Sequence, residues 1–311
     1  MPPDPAHRHR SDVLTDSGLL ALALIWGINF SVIKVALGEL HPLAFNALRF
    51  PVASVVLLVL LRASGPLALP DARDWPRLVL MGLLGNLVYQ LLFIFGIDRT
   101  TAGNASLLLA TTPAWTLLLT VVVGHERPPP VVWTGVLGTV AGMTLVVAGG
   151  SGFRPDVGSL AGDMLMVGAS MLWSLYTVGV RDLIHRYGPL EVTAWTLWIG
   201  TLGLVVVGAP AVAETPLTSL SAGTWAAVAY AGTFALSIAY AIWYRGVHRI
   251  GNARTAAYSN LVPVVALGVA WLWLGERPAA LQVVGAGVIL GGLSLARLGG
   301  RTPVFHPPEP E

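Results

Sequence analysis

Of the chain's 311 residues, 55% are hydrophobic and only 11% charged, with a mean hydropathy of +0.71; a soluble domain with an ordinary polar surface does not reach such values, so the composition points to a bilayer. The net charge of +2 comes from basic residues scattered at the ends of apolar runs, which excludes a basic patch for nucleic acid. The sequence contains no Cys, which removes disulfides, thiolate chemistry and Cys-ligated metals together.

In chain order, residues 1–18 lack the apolar core of a signal peptide and read as a disordered cytoplasmic tail, as do residues 299–311. Between them lie ten apolar runs of the length a helix needs to cross a bilayer, at 19–37, 43–62, 75–96, 102–123, 131–149, 160–180, 191–209, 222–244, 254–274 and 280–298. The connections are short and punctuated where helices must stop, as at His41-Pro42, Pro128 to Pro130, Gly188-Pro189 and Arg277-Pro278. With the N-terminus inside, thirteen Lys and Arg residues fall on inner segments and three (Arg99, Arg154, Arg277) on outer ones. The positive-inside rule then puts both termini in the cytoplasm of an inner-membrane protein.

The sequence is written twice. Residues 96–128, GIDRTTAGNASLLLATTPAWTLLLTVVVGHERP, match 246–278, GVHRIGNARTAAYSNLVPVVALGVAWLWLGERP, at a shift of 150: Gly96 falls on Gly246, Pro113 on Pro263, and Glu126, Arg127, Pro128 on Glu276, Arg277, Pro278. The same shift carries Gly135 and Gly142 onto Gly285 and Gly292, and near the start of each half a shift of 147 places Trp26 on Trp173, Lys34 on Arg181 and Pro42 on Pro189. The units are 19–149 and 150–298. Five helices per unit is an odd number, so the second copy enters the membrane from the opposite side. Inverted halves let one central site open to either face in turn, as in secondary transporters.

These residues carry a resemblance. WGINF at 26–30, PLAFNALRF at 42–50, and the fourth and ninth helix blocks ending GHERP and LGERP resemble the drug/metabolite transporter superfamily, in its ten-helix EamA branch, from about residue 19 to 298. The resemblance implies an all-α basket whose central cavity is lined by helices 1, 3, 4, 6, 8 and 9, with helices 5 and 10 peripheral, and export of amino acids, drugs or other metabolites. This chain departs at His125, where Leu-Gly usually precedes the Glu, and at Thr111-Thr112-Pro113, which differs from Asn260-Leu261-Val262-Pro263 of the second copy. Both departures leave the substrate open.

Polar side chains at membrane depth mark an aqueous cavity or glue between helices. Asn86, Tyr89, Gln90 and Phe93 recur at i, i+3, i+4 and i+7 on one face of helix 3, and Ser237, Tyr240, Ala241 and Tyr244 repeat the pattern on helix 8. Helix 6 offers Ser170, Trp173, Ser174, Tyr176 and Thr177, helix 1 Trp26 and Asn29, and helix 4 Thr111, Thr112 and Trp115. Trp75, Trp133, Trp195, Trp198, Trp225, Trp271 and Trp273 lie near span ends as an interfacial belt. The expected substrate-binding set is therefore Trp26, Asn29, Asn86, Tyr89, Gln90, Trp115, Trp173, Tyr176, Ser237 and Tyr240, whose rings suit an aromatic or cationic substrate; ordinary core packing is the alternative.

Pro113 and Pro263 interrupt helices 4 and 9 and are expected to act as gating hinges. Lys34 and Arg181 are expected to snorkel, Arg49 to play a structural part, and Gly138-x-x-x-Gly142 and Gly287-x-x-x-Gly291 to pack helices 5 and 10 internally. Because Asp98, Glu126, Asp163 and Glu276 all stand at span ends, where proton relays and sodium sites usually need mid-span carboxylates, facilitative or exchange transport that follows the substrate gradient is expected, with ion coupling left open. No H-E-x-x-H, G-x-S-x-G or buried carboxylate pair supports an enzyme, a cofactor or a metal site. The expected partners are a small-molecule substrate and the bilayer, with no nucleic acid and a monomer rather than a dimer. Outward transport of amino acids, aromatic ones included, leads; nucleotide-sugar or phosphate-ester exchange, drug export and a passive channel follow.

Overall fold

The computed structural model describes residues 5–65, 67, 69–122, 129–150, 157–250, 255 and 258–299, and every regular element among them is helical. The helices used below are α1 (Pro5–Leu37), α2 (Pro42–Ser64), α3 (Trp75–Arg99), α4 (Ala102–Val122), α5 (Pro130–Gly150), α6 (Val157–Gly179), α7 (Pro189–Glu214), α8 (Ala222–Arg249), α9 (Leu261–Leu274) and α10 (Ala280–Gly299). Among the described residues, seven helices are long and apolar enough to cross a membrane: α1 from Leu14 onward, α2, α3, α4, α5, α7 and α8. An eighth follows if α6 and the short helix Arg181–Tyr187, bent 47° from it, form one span. The shorter apolar helices α9 and α10 fall on the last two expected runs.

Helix ends follow local chemistry. His41 Nδ1 accepts from the Leu43 N–H at 3.2 Å ahead of Pro42, and Thr101 Oγ1 accepts from the Asn104 N–H at 3.1 Å at the start of α4. Gly275 ends α9 with φ +69°, a left-handed conformation that favours glycine. Around the outside the helices present bare aliphatic side chains, with Leu272 80% exposed, Val206 72% and Leu202 71%, whereas Phe30, Ile33, Phe45, Ile94 and Leu107 are buried. Apolar surface facing both ways is what a lipid-embedded bundle requires.

α5 and α10 pack through the repeated glycines. A Cβ on Gly135 stands 2.5 Å from the Gly292 carbonyl oxygen, and one on Gly142 stands 2.8 Å from that of Gly285. The two helices therefore run antiparallel at backbone contact, and no larger residue fits at those four positions. Internal packing through both glycine motifs is the expectation from sequence, and the second does not take part: a Cβ on Gly287 or Gly291 meets nothing within 4 Å. On α2 and α7, Ser54 and Thr201 stand 147 positions apart and their hydroxyls meet at 3.0 Å.

Both singled-out prolines sit just beyond a helix interruption. α4 breaks at Ala110–Thr111, and the carbonyl of Leu109, which Pro113 has no N–H to bond, accepts from Thr112 Oγ1 at 2.6 Å. A turn at Asn260 precedes Leu261, with Pro263 in the first turn of α9. The C-terminal end of the first repeat block, Glu126-Arg127-Pro128, lies outside the described residues.

Candidate functional site

α3 and α8 each contain a π-helical turn, Leu83–Val88 and Ala231–Ile238, where the N–H of Tyr89 bonds Leu84 and that of Ala239 bonds Phe234, five residues back. A π turn adds a residue to the helix and swings the side chains that follow onto a new face; such turns recur at functional sites. Tyr89 follows directly and Tyr240 one residue later, and both enter a common row of rings.

That row is built from four helices, two in each half. Tyr89 of α3 lies 5.0 Å from Trp173 of α6; Trp173 lies 5.1 Å from Tyr176 and 6.2 Å from Tyr240 of α8; Tyr240 meets Trp26 of α1 edge-on at 5.9 Å. Phe93 stacks on Tyr89 at 5.9 Å, and Trp243 adds a ring 5.8 Å from Trp26. Five expected residues are thus brought together. Trp26 Nε1 fixes its ring by donating to the Ala235 carbonyl, inside the α8 π turn, at 3.0 Å. Trp26, Trp173 and Tyr240 keep part of their surface open.

Polar groups beside the row divide into spent and free. The Tyr176 hydroxyl pairs with Thr196 Oγ1 at 2.9 Å, and that of Tyr244 with Thr193 Oγ1. The hydroxyls of Tyr89 and Tyr240 have no partner among the described residues. The buried Asn29 Oδ1 on α1 likewise has no donor among the described residues. Ring faces that carry unpaired hydroxyls of their own are suited to a small-molecule site.

The other expected residues do different work. Ser237 Oγ donates to the Ala53 carbonyl at 3.1 Å and to that of Gly232 at 3.0 Å, joining α8 to α2. Asn86 lies against Gly200 of α7, so closely that a Cβ there would stand 2.3 Å from that of Asn86. Trp115 Nε1 donates to Thr111 Oγ1 at 3.1 Å, and Thr111 meets Ser170 of α6 at 3.2 Å. Ser174 Oγ bonds the Thr112 carbonyl at 2.9 Å, so α4 is held to α6 at its break and just after it.

Gln90 faces a residue that sequence reading set aside as structural. Arg49 of α2 is 1% exposed; its Nη2 donates to Gln90 Oε1 at 2.9 Å and its Nε to Asn46 Oδ1 at 3.0 Å, while Asn46 Nδ2 bonds the Gln90 carbonyl at 3.3 Å. The guanidinium lies 4.8 Å from the Phe45 ring, 5.5 Å from Phe50 and 6.0 Å from Phe93. Its partners come from two helices, so sequence spacing alone could not assemble them; the signal was a lone Arg at membrane depth.

At one end of the bundle, Glu276 accepts from the N–H groups of Ala102 at 2.9 Å and Gly103 at 3.1 Å, capping α4 from the other half of the chain. Lys34 Nζ donates to the Asp98 carbonyl at 3.2 Å. Asp163, expected at a span end, is 1% exposed and accepts from Thr100 Oγ1 at 2.5 Å and Asn104 Nδ2 at 3.4 Å. No group of three or more His, Cys, Asp or Glu that could hold a metal occurs among the described residues.

The EamA-like transporter family model matches residues 14–148 and again 160–298. A protein of Streptantibioticus cattleyicolor named "Probable terminal-alkyne amino-acid exporter" is 32% identical over 282 residues, covering 89% of this chain and 91% of that one. An uncharacterized transporter of Archaeoglobus fulgidus is 30% identical, covering 89% and 95%. A "Probable amino-acid metabolite efflux pump" of Salmonella typhimurium is 28% identical, covering 91% and 95%. A protein of known crystal structure, 20% identical, superposes with a TM-score of 0.65 over 91% of this chain and 98% of its own, a likeness of fold. With the double family match and its apolar helices, the chain is a multi-pass membrane transporter of small molecules, not an enzyme, and belongs to the EamA-like family of the drug/metabolite transporter superfamily.

Proposed function

We propose that this transporter exports amino acids, aromatic ones among them, by alternating access between two inverted five-helix repeats, 19–149 and 150–298, in a ten-helix bundle. The observation that carries the reading is the ring row Tyr89–Trp173–Tyr240–Trp26, drawn equally from the two halves. A shared site between two related halves is what one module can close from either side. The free hydroxyls of Tyr89 and Tyr240 and the free Asn29 Oδ1 are available to a polar backbone, and the rings to an aromatic side chain or an ammonium. The relatives named for amino-acid export and amino-acid metabolite efflux support the same class.

Support for the inverted arrangement comes from pairwise contacts. Gly135 meets Gly292 and Gly142 meets Gly285, where 292 is the repeat partner of 142 and 285 that of 135. Reciprocal contact of this kind belongs to a two-fold relation. The proposal includes an inner-membrane monomer with both termini cytoplasmic, helix breaks before Pro113 and Pro263 as hinges, and flux down the substrate gradient. Phosphate-ester exchange fits less well, because Lys34 is turned to Asp98 and Arg49 stands without a second cation among the described residues.

Reconstituted protein is to be assayed with radiolabelled aromatic and aliphatic amino acids, sugar phosphates and cationic drugs. Saturable flux of aromatic amino acids, lost in Trp173→Ala, is the expected result. Flux that rises without saturation, or a panel in which no amino acid moves, refutes the proposal.

A further inference from the structure

We infer that Arg49 is the anchor for the substrate's carboxylate, so that the site selects amino acids over the corresponding amines. The inference rests on the reading of the ring row as the substrate site.

Arg49 carries a full charge inside a bundle, and no carboxylate pairs with it among the described residues. Removing a charge from water without neutralising it is costly, and such a residue in a membrane protein persists where it has a use. Its two side-chain partners are amides: Asn46 Oδ1 on Nε and Gln90 Oε1 on Nη2. Amide oxygens satisfy donors but do not cancel charge. Nη1 has no acceptor among the described residues, so the fork holds donors in reserve.

The position is joined to the row. Phe93 carries the guanidinium at 6.0 Å on one side and stacks on Tyr89 at 5.9 Å on the other. Phe50, 5.5 Å from the guanidinium, belongs to the apolar cluster against which Tyr240 packs. The planar fork matches a carboxylate with two parallel hydrogen bonds, and Asn46 fixes its orientation. In this arrangement Gln90 Oε1 stands where one carboxylate oxygen would be received.

The site is also lopsided. Position 49 corresponds, at the shift of 147, to Thr196, whose hydroxyl is already taken by Tyr176. One guanidinium with no symmetric partner suits a single negative charge and sets which end of a zwitterion points to α2. A phosphate dianion would call for the second cation that Thr196 does not supply.

The test is counterflow in proteoliposomes of the full-length protein with L-phenylalanine, phenethylamine and phenyl phosphate. Phenethylamine keeps the ring and the ammonium and lacks only the carboxylate. Wild type is expected to favour phenylalanine over phenethylamine by at least about tenfold in kcat/KM, the worth of a charge-assisted hydrogen bond. Arg49→Gln is expected to collapse that ratio toward one. Gln90→Glu places a permanent carboxylate on the guanidinium and is expected to abolish phenylalanine flux while the protein still elutes as a folded species. Equal handling of phenylalanine and phenethylamine by wild type overturns the inference and leaves the ring row standing, whatever the fate of the variants. Preference for phenyl phosphate, or no flux of either amine, overturns the inference together with the amino-acid reading.

Discussion

Ser54 and Thr201 occupy the same position in the two copies of the repeat, and their hydroxyls hydrogen-bond to each other at 3.0 Å. In the proposed inverted arrangement, a residue that touches its own counterpart lies on the two-fold axis relating the halves. If inward- and outward-open states are exchanged by that two-fold operation, such a contact maps onto itself and persists in both. Oxidised Ser54→Cys/Thr201→Cys protein is therefore expected to keep at least about half its flux. By contrast, the same operation maps the contact of Glu276 with Ala102 onto a different pair, so the proposal assigns it to one state. Cross-linked Ala102→Cys/Glu276→Cys protein is expected to stop, and reduction to restore it. Flux measured before and after reduction checks both pairs against the native background, which contains no Cys.

The proposed hinge at Pro113 has a kinetic signature. Replacing it with Ala supplies the N–H that Leu109 lacks and invites α4 to run straight through Ala110–Thr111. Turnover in Pro113→Ala is expected to fall about tenfold with KM changed less than about twofold, because the ring row is untouched while the conformational step slows. An unchanged turnover number reduces the break to a static kink.

Three tyrosines predict opposite outcomes for one substitution. Tyr89 and Tyr240 lack a hydroxyl partner among the described residues, so Tyr89→Phe and Tyr240→Phe are expected to leave the unfolding midpoint in detergent near wild type and raise KM about threefold to tenfold. Tyr176→Phe forfeits the bond to Thr196 and is expected to cost about 1 kcal/mol of stability. Paired melting and transport measurements separate the two behaviours.

Outside the membrane, two carboxylates tie loops together. The Ser221 N–H, donating to Glu39 at 2.9 Å, holds Glu39 below the usual carboxylate range; the Tyr187 hydroxyl, with Arg186 beside it, does the same to Asp74. Each pKa is depressed in the folded state, so the contribution is complete above the unfolded value of about 4 and is lost as pH falls through the folded one. The loss of midpoint in Asp74→Asn is expected at pH 7 and to shrink away as pH falls through the depressed folded-state value of Asp74. A penalty that persists in acid contradicts this origin.

How much was legible follows from where each signal is stored. The helical spacing of Tyr89 and Tyr240 and the correspondence of Trp26 with Trp173 are local or repeated, so most of the ring row could be read directly. The π turns before Tyr89 and Tyr240 have no such signature, nor does the pairing of Gln90 with Arg49 while its repeat counterpart, Tyr240, stands in the row. The partners of Arg49 arrive from 3 and 41 residues away on two helices, so spacing along the chain does not assemble them. Asp163 and Glu276 looked like boundary charges from their distance to span ends. Their burial and capping roles depend on α4 meeting α6 and the end of α9, which periodicity does not encode.

Access to the ring row from both faces of the membrane tests the account most directly. A single Cys introduced at Asn29 is to be probed with a membrane-impermeant thiol reagent in vesicles of each orientation, with and without an aromatic amino acid. Labelling from either side, slowed by the amino acid in both, is the predicted result. Labelling confined to one face, or indifferent to substrate on both, contradicts it.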